Sequence, residues 1–393
     1  MADVYHTLWT YPWDLTDAGP EAVVRCLREE IGLDGMSLAS AYHTFNMLRP
    51  HSRGKLLLQI PQSAVYFQPR ADLYRDTPIK PHVSPLMGAA DWYADAAEAC
   101  AKAGLDLIAW TVFLHNSYLA GKHPGCAQVA CTGDISTANL CPANPDVRAF
   151  AVALSRDLVQ NYGIAVLECE SLVFGGFGHA HYHLKHGVDP GQGGRFLLAL
   201  CFCDACREKA RKAGLDPDIL AQTAESHVRE ALGSGRPLRE TPDELCTTVP
   251  QLARYVRMRE DTVTTLVQSV REAAGVPISF IFMGDRPTSG ADRKRIAEGV
   301  DYTEILSYTA DPGQTRQAVS RLLPDLRSPD QLLVGLQAYP PASPNAETLQ
   351  ANVEGAAGLG IRRFSYYNYG IMPPPNLDWV RKAIGAARKT LAS

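Results

Sequence analysis

Asn144 to Phe174 reads NPDVRAFAVALSRDLVQNYGIAVLECESLVF. NPDVRAFAVALSRDLVQNYG reads as a helix and IAVLECESLVF as a strand, a turn at Gly163 apart. Working outward, the same alternation recurs. VYHTLWTY, GMSLASAYHTF and LDLIAWTVFLHN read as strands before it; VPISFIFMGD, DYTEILSYTA, DQLLVGLQAYPP and IRRFSYYNYG read as strands after it. Helical patterns lie between them, from GPEAVVRCLREEIG and AADWYADAAEACAKAG to TVPQLARYVRMREDTVTTLVQSVREAAG, QTRQAVSRLLPDL, NAETLQANVEGAAGLG and NLDWVRKAIGAARKTLA. Strands alternating with helices call for a parallel sheet with right-handed crossovers. Eight units in 393 residues predict a (β/α)8 TIM barrel over 1–393 as a single domain. An open doubly wound sheet is the alternative, weakened because no Gly-rich phosphate fingerprint follows the first strand.

Two stretches exceed the repeat. KLLLQIPQSAVYFQPRADLYRDTPIKPHVSPLMG is expected as a hairpin and loop after strand 2. A long insertion at about 174–244 follows strand 4. Loops beyond about 12–15 residues are commonly functional, and insertions after barrel strands sit at the C-terminal mouth.

Composition excludes several classes. Hydrophobic residues make up 46% of the chain, charged residues 20%, and the net charge is -4, with no basic stripe for nucleic acid. No run approaches ~18 apolar residues, so no membrane span is expected. The N-terminal MADVYHTLWTYPWD lacks the charged and apolar regions of a signal peptide, so a cytoplasmic location is expected. A homo-oligomer stays open. Ten cysteines in such a compartment should be reduced, and a cluster then points to a metal or reactive site.

That cluster lies in LALCFCDACREKARKAG, Leu198 to Gly214. Cys201, Cys203 and Cys206 supply three of the four ligands of a tetrahedral zinc site. The fourth is sought among Cys126, Cys131, Cys141, Cys169 and the histidines of HAHYHLKHG. Cys169 stands between two glutamates on a strand and should face the outer helices. Cys26 and Cys100 fall in helical patterns and read as core. Three free thiols are the plain alternative. A redox pair is disfavoured, because no thioredoxin-like strand leads into a helix at the C-x-x-C. The histidines His179, His181, His183 and His186 suit a lid or a second metal.

IAVLECES places Glu168 and Glu170 on one face of strand 4. Carboxylates in an apolar strand are costly unless paired or in a solvated cleft, and burial raises their pKa towards the range of a general acid. A buried ion pair with an arginine is the competing reading. Asp285 ends an apolar strand and is a third catalytic candidate, its other role being to cap a helix or to pair with Arg286 or Arg293. Asp14 and Glu304 are further carboxylates near strand ends. Aromatic and polar residues at strand ends suit sugar faces and hydroxyls: Trp9, Trp13, Trp110, Tyr308, Tyr339 and Tyr366, with His43, His115, Asn116, Gln337 and Asn368. Tyr11, Tyr367 and Tyr369 belong to the same group.

NLCPANPDVRAF, Asn139 to Phe150, resembles the Cys-Pro-x-x-Pro segment of glycoside hydrolase family 42 β-galactosidases, and CFCDACR resembles their cysteine loop after strand 4. The resemblance covers roughly Asn139 to Arg207. It implies a clan A barrel whose structural zinc is held by Cys141, Cys201, Cys203 and Cys206. It also implies a general acid/base glutamate at the end of strand 4. Two departures stand out. The Asn-Glu signature of that acid is absent, and strand 7 offers Gln337 where the clan carries its nucleophilic glutamate. The expectation is hydrolysis of a carbohydrate or glycoside, with Glu170 or Glu168 as acid and a small-molecule or oligosaccharide substrate. Without the nucleophile, attack falls to a water activated by Asp285 or to a substrate group. Two other classes remain: a barrel that binds sugar without hydrolysis, and a lyase or isomerase using tyrosine and histidine.

Overall fold

The computed structural model describes residues 4–178, 185 and 187–393. Eight strands carry the sheet: β1 (Tyr5–Thr10), β2 (Gly35–Tyr42), β3 (Asp106–Val112), β4 (Val166–Glu170), β5 (Ile278–Ile281), β6 (Tyr302–Leu306), β7 (Leu332–Gln337) and β8 (Arg363–Tyr367). Each pairs in parallel with its neighbours, and β1 pairs with both β2 and β8. The sheet therefore closes into a (β/α)8 barrel, and the open alternative falls away.

The opening helix–strand unit shows why these residues take these forms. Helix Pro145–Tyr162 begins where the Asn144 side chain accepts from the backbone N–H groups of Asp146 and Val147, with Pro145 at the first helical position. It ends at Gly163, whose φ of 58° is the left-handed conformation that glycine adopts without strain. Val147, Phe150, Leu154 and Leu158 bury one face between helix and barrel. The chain then enters β4. Leu167 and Cys169 face this outer core, which sends Glu168 and Glu170 to the barrel interior.

Excess chain collects around the mouth. The strand expected to run to Phe45 stops at Tyr42, and Phe45–Leu48 pairs antiparallel with Leu57–Ile60 in a hairpin. Ala64–Val65 then adds antiparallel to β2. A second hairpin, Ala127–Val129 with Ile135–Leu140, was not foreseen from sequence. After β4 the chain forms helices Gly191–Ala199, Asp204–Lys212, Pro217–Ser234 and Pro242–Thr248. These share a separate apolar core, in which Phe196, Phe202 and Leu220 pack against Leu252, Tyr255 and Val256 of the long helix Pro250–Ala274.

Replacing Asn144 by alanine removes the acceptor for two orphan N–H groups. Urea unfolding should show a loss of about 1 kcal/mol with an unchanged m-value.

Candidate active site

Two indoles hold the carboxylates of β4. Trp9 Nε1 donates to Glu168 Oε2 at 2.7 Å, and Trp110 Nε1 donates to Glu170 Oε2 at 2.6 Å. Ser37 Oγ adds a 2.5 Å bond to Glu168, which is buried one layer below Glu170. Burial raises Glu168, while Ser37 and Trp9 oppose that rise. Glu304 on β6 faces the same buried space and accepts from Ser365 Oγ. Burial, and then the charge of Glu168, hold Glu304 well above the usual carboxylate range. The two carboxyls titrate as a pair, and burial holds both above the usual carboxylate range. Glu170 is only partly covered. Burial pushes it up to about 7, with the charge of Glu168 acting in the same direction and the Trp110 bond against it. Among the described residues no arginine pairs with Glu168 or Glu170: their partners are indoles, a serine and, for Glu168, the carboxyl of Glu304.

The residue after Glu170 is strained. Ser171 has φ 54°, a left-handed conformation costing a non-glycine residue on the order of 1–3 kcal/mol. The segment just after β3 holds it there: Phe113 N donates to Glu170 O at 2.9 Å and Leu114 N to Ser171 O at 3.2 Å.

Rings wall the mouth. Trp9 and Trp110 lie 6.0 Å apart, and Tyr42 meets Trp110 edge-on at 4.7 Å. The Tyr11 hydroxyl lies 3.3 Å from that of Tyr42 and 3.0 Å from that of Tyr367. Tyr308 and Tyr339 extend the wall, with rings 5.6 and 6.5 Å from Tyr367. His43 stacks on Tyr42 at 4.3 Å and meets His115 at 5.4 Å, and His115 Nδ1 pairs with Asn139 Oδ1 at 2.9 Å. Gln337 sits opposite Tyr367 in the β7–β8 register. Asn368 is buried just beyond β8, its Oδ1 accepting from Gly370 N.

Other candidates lie elsewhere. Tyr366 points outward from β8 and packs on His6 behind the barrel; strand alternation puts Tyr367 inside instead. Trp13 is buried behind Tyr11, with its ring 4.7 Å away and its Nε1 on Met47 Sδ. Asn116 Oδ1 caps helix Ser117–Lys122. Asp285 is exposed and accepts from Thr288 N at 2.9 Å as a helix cap, so it does not join the carboxylates of the mouth. Asp14 is buried under the Tyr11 N–H and pushed up to about 7 by that burial. It fills the space that a Cβ on Gly370 would take. His179, His181, His183 and His186 lie outside the described residues.

The cysteines converge as a second centre. The sulfurs of Cys141, Cys201, Cys203 and Cys206 are buried and all lie within 4.8 Å of one another. Cys141 Sγ stands 3.5 Å from Cys206, 3.7 Å from Cys201 and 3.5 Å from Cys203. A tetrahedron with ~2.3 Å metal–sulfur bonds has edges of about 3.8 Å, whereas a disulfide needs ~2.05 Å. The geometry suits a metal. Cys203 stands at the N-cap of helix Asp204–Lys212 and Cys206 lies in its first turn, and the element before this helix is the helix Gly191–Ala199, not a strand. Cys126 and Cys131 stay outside the quartet, and Cys169 faces the outer core as expected.

The fold class follows from the closed barrel, and solved structures share it. The glycoside hydrolase domain of PgaB (BpsB) from Bordetella bronchiseptica superposes with a TM-score of 0.57 at 15% identity, over 97% of this chain and 99% of that one. A β-galactosidase from the psychrophilic Marinomonas ef1 gives 0.57 at 12% identity, over 97% of this chain and 59% of that one. An α-L-fucosidase isoenzyme 2 from Paenibacillus thiaminolyticus gives 0.56 at 12%, over 99% and 50%. The chain thus spans 59% and 50% of the length of the last two. At such identities the likeness is one of fold. No family model and no curated protein matches the sequence.

The raised Glu170 has a consequence for stability. Between its ordinary value of 4.5 and about 7 the unfolded carboxyl ionises while the folded one keeps its proton. The unfolded state then binds fewer protons, so this group lowers stability as pH rises through that window. Glu170→Gln keeps an acceptor for Trp110 and removes the penalty. Denaturation should find it more stable than the parent at about pH 8, with the two converging near pH 4. A difference independent of pH would show that Glu170 is not held neutral.

Proposed function

We propose that the protein hydrolyses glycosidic bonds, with Glu170 as the general acid. The observation that carries this reading is a carboxyl raised to about 7 in an aromatic-walled barrel mouth. Glu170 gives its proton to the glycosidic oxygen as the C–O bond breaks, and the leaving alcohol keeps the electron pair. Water supplies the hydroxyl at the anomeric carbon, and its spare proton returns to the Glu170 carboxylate. Gln337 leaves β7 without a nucleophile, and Asp285 is engaged as a cap. A neighbouring group of the substrate, such as a 2-acetamido carbonyl, therefore meets the positive charge, and configuration is retained. Glu168 supports Glu170 electrostatically from below. His43, His115, Asn368 and the tyrosine hydroxyls orient the sugar.

Clan A membership of the family 42 type is part of the same reading. So are a structural zinc on Cys141, Cys201, Cys203 and Cys206, one barrel domain with a pinned insertion, and a cytoplasmic location. Among the described residues no helix is long and apolar enough to cross a membrane. The amide at Gln337 favours a second reading, in which the barrel binds a sugar without cleaving it.

A nitrophenyl glycoside screen separates the two. Turnover that falls roughly 10²–10⁴-fold in Glu170→Gln supports hydrolysis; tight binding with no turnover supports the second reading. Glu168→Gln should cost less and move the alkaline limb of the pH–rate profile downward, because it removes a charge that raises Glu170. A fluorosugar should leave no adduct detectable by mass spectrometry, and an adduct on any carboxylate would end the substrate-assisted route.

Metal analysis should return about one zinc per chain. Cys203→Ser should lower thermal stability sharply while the remaining folded protein keeps its turnover. Metal-free protein of equal stability would remove the zinc site.

A further inference from the structure

Openings flank the neighbours of Glu170, Tyr42 and Tyr367 on one side and Ser171 on the other. On one side a cavity of about 460 Å³ is bounded by Tyr11, Tyr42, His43, Phe45 and Tyr367. On the other, a cavity of about 250 Å³ begins at Ser171 and His115, whose ring touches His43. It continues into another of about 250 Å³, with which it shares Asn139, Gly175 and Gly176. The floor between them is built to stay low: a Cβ on Gly175 would stand 2.3 Å from the Asn139 side chain. Gln128 fixes that floor by donating to Gly175 O and accepting from Gly175 N.

The far end of this path has an unusual rim. Ile135 is 52% exposed and Phe177 41% exposed, and both line the groove. Apolar faces left open along a groove suit the faces of sugar rings. The opposite wall, Leu198–Leu200, runs directly into Cys201. It is fastened twice: Val129 N donates to Cys201 Sγ at 3.4 Å, and Phe202 N to Val129 O at 2.7 Å. The buried Arg259 also ties Ala199 O to Thr288 O of the loop after β5. Among the described residues lining the three cavities there is Asp134 and no lysine or arginine.

We propose that the mouth binds an extended oligosaccharide without anionic groups across Glu170, with its distal units in the groove between Ile135, Phe177 and the cysteine-fastened wall Leu198–Leu200. This deepens the proposed function and rests on Glu170 marking the reacting bond. Among the described residues lining these three cavities an anionic sugar would meet the carboxylate of Asp134 and no lysine or arginine; Arg195 lines a neighbouring opening that shares Gly176 and Phe177. A single sugar would leave the outer groove, with its exposed Ile135 and Phe177, unused.

The test is titration calorimetry on the Glu170→Gln protein. The probes are β-1,4-linked oligosaccharides of glucose, galactose and N-acetylglucosamine, from di- to hexasaccharide, and an oligogalacturonate of matching length. Affinity should rise at least about tenfold with length in one neutral series, and the uronate should bind at least about tenfold more weakly. Phe177→Ala and Ile135→Ala, both at exposed positions, should flatten the length dependence. Absence of binding in every neutral series overturns the proposal. So does affinity independent of length, or length dependence that survives both substitutions. Glu170-dependent turnover of nitrophenyl glycosides without length dependence would sink the groove and spare the hydrolase. Length-dependent binding without any turnover would do the reverse.

Discussion

The mouth depends on two indole N–H groups, each donated to a carboxylate of β4. A carboxyl group carried into a barrel interior is stable only if its oxygens are served. Trp9 and Trp110 do this from the strands on either side of β2, at different depths. The lower carboxylate gains Ser37 as well and shares its surroundings with Glu304, which burial and the charge of Glu168 hold well above the usual carboxylate range. The upper one has a single indole partner to set against its burial, which pushes it up to about 7. The same rings form the apolar wall against which a ligand would rest. Position, ionisation and wall thus come from one pair of side chains.

This arrangement was only partly visible in the sequence. Strand–helix alternation is a strong signal because each unit carries its own period and its own stops; all eight strands were legible, but the short helix Arg293–Gly299 between β5 and β6 was not. The alternation E-C-E likewise placed Glu168 and Glu170 inward and Cys169 outward. What escaped depended on local breaks in regularity. The register between β2 and β3 slips between Ala39 and Ala41. Ala39 therefore faces the mouth, Ala41 the outer core, and Tyr42 the mouth again. Strict alternation hides Tyr42 for that reason. Tyr366 and Tyr367 are chemically alike neighbours, and one residue of phase decides which is inside. Glu304 pairs with a carboxylate far away in sequence, and no local pattern encodes that. Asp285 before Arg-Pro-Thr-Ser carried a capping signal as strong as its signal for catalysis.

The insertion after β4 and the barrel meet through chemistry more than through a broad apolar face. Helices Gly191–Ala199, Asp204–Lys212 and Pro217–Ser234 bury their apolar residues mainly in their own cluster and against the first turns of the helix Pro250–Ala274. Tyr255 of that helix donates to the carbonyl of Cys201. Arg259, one turn on, stacks over Phe174 with its guanidinium 4.3 Å from the ring centre. Sulfur, phenol and guanidinium form a short chain of contacts from the cysteine quartet to the loop that leaves Glu170.

The cysteine quartet also orders events in time. Cys141 precedes the helix Pro145–Tyr162, and its three partners follow β4. An entire helix–strand unit must already be docked before all four sulfurs can face one point. A metal arriving earlier finds at most the local three, held in a segment with no place to attach. With a metal held there as proposed, closing the quartet would be a checkpoint on assembly, reached only when this part of the barrel is in place.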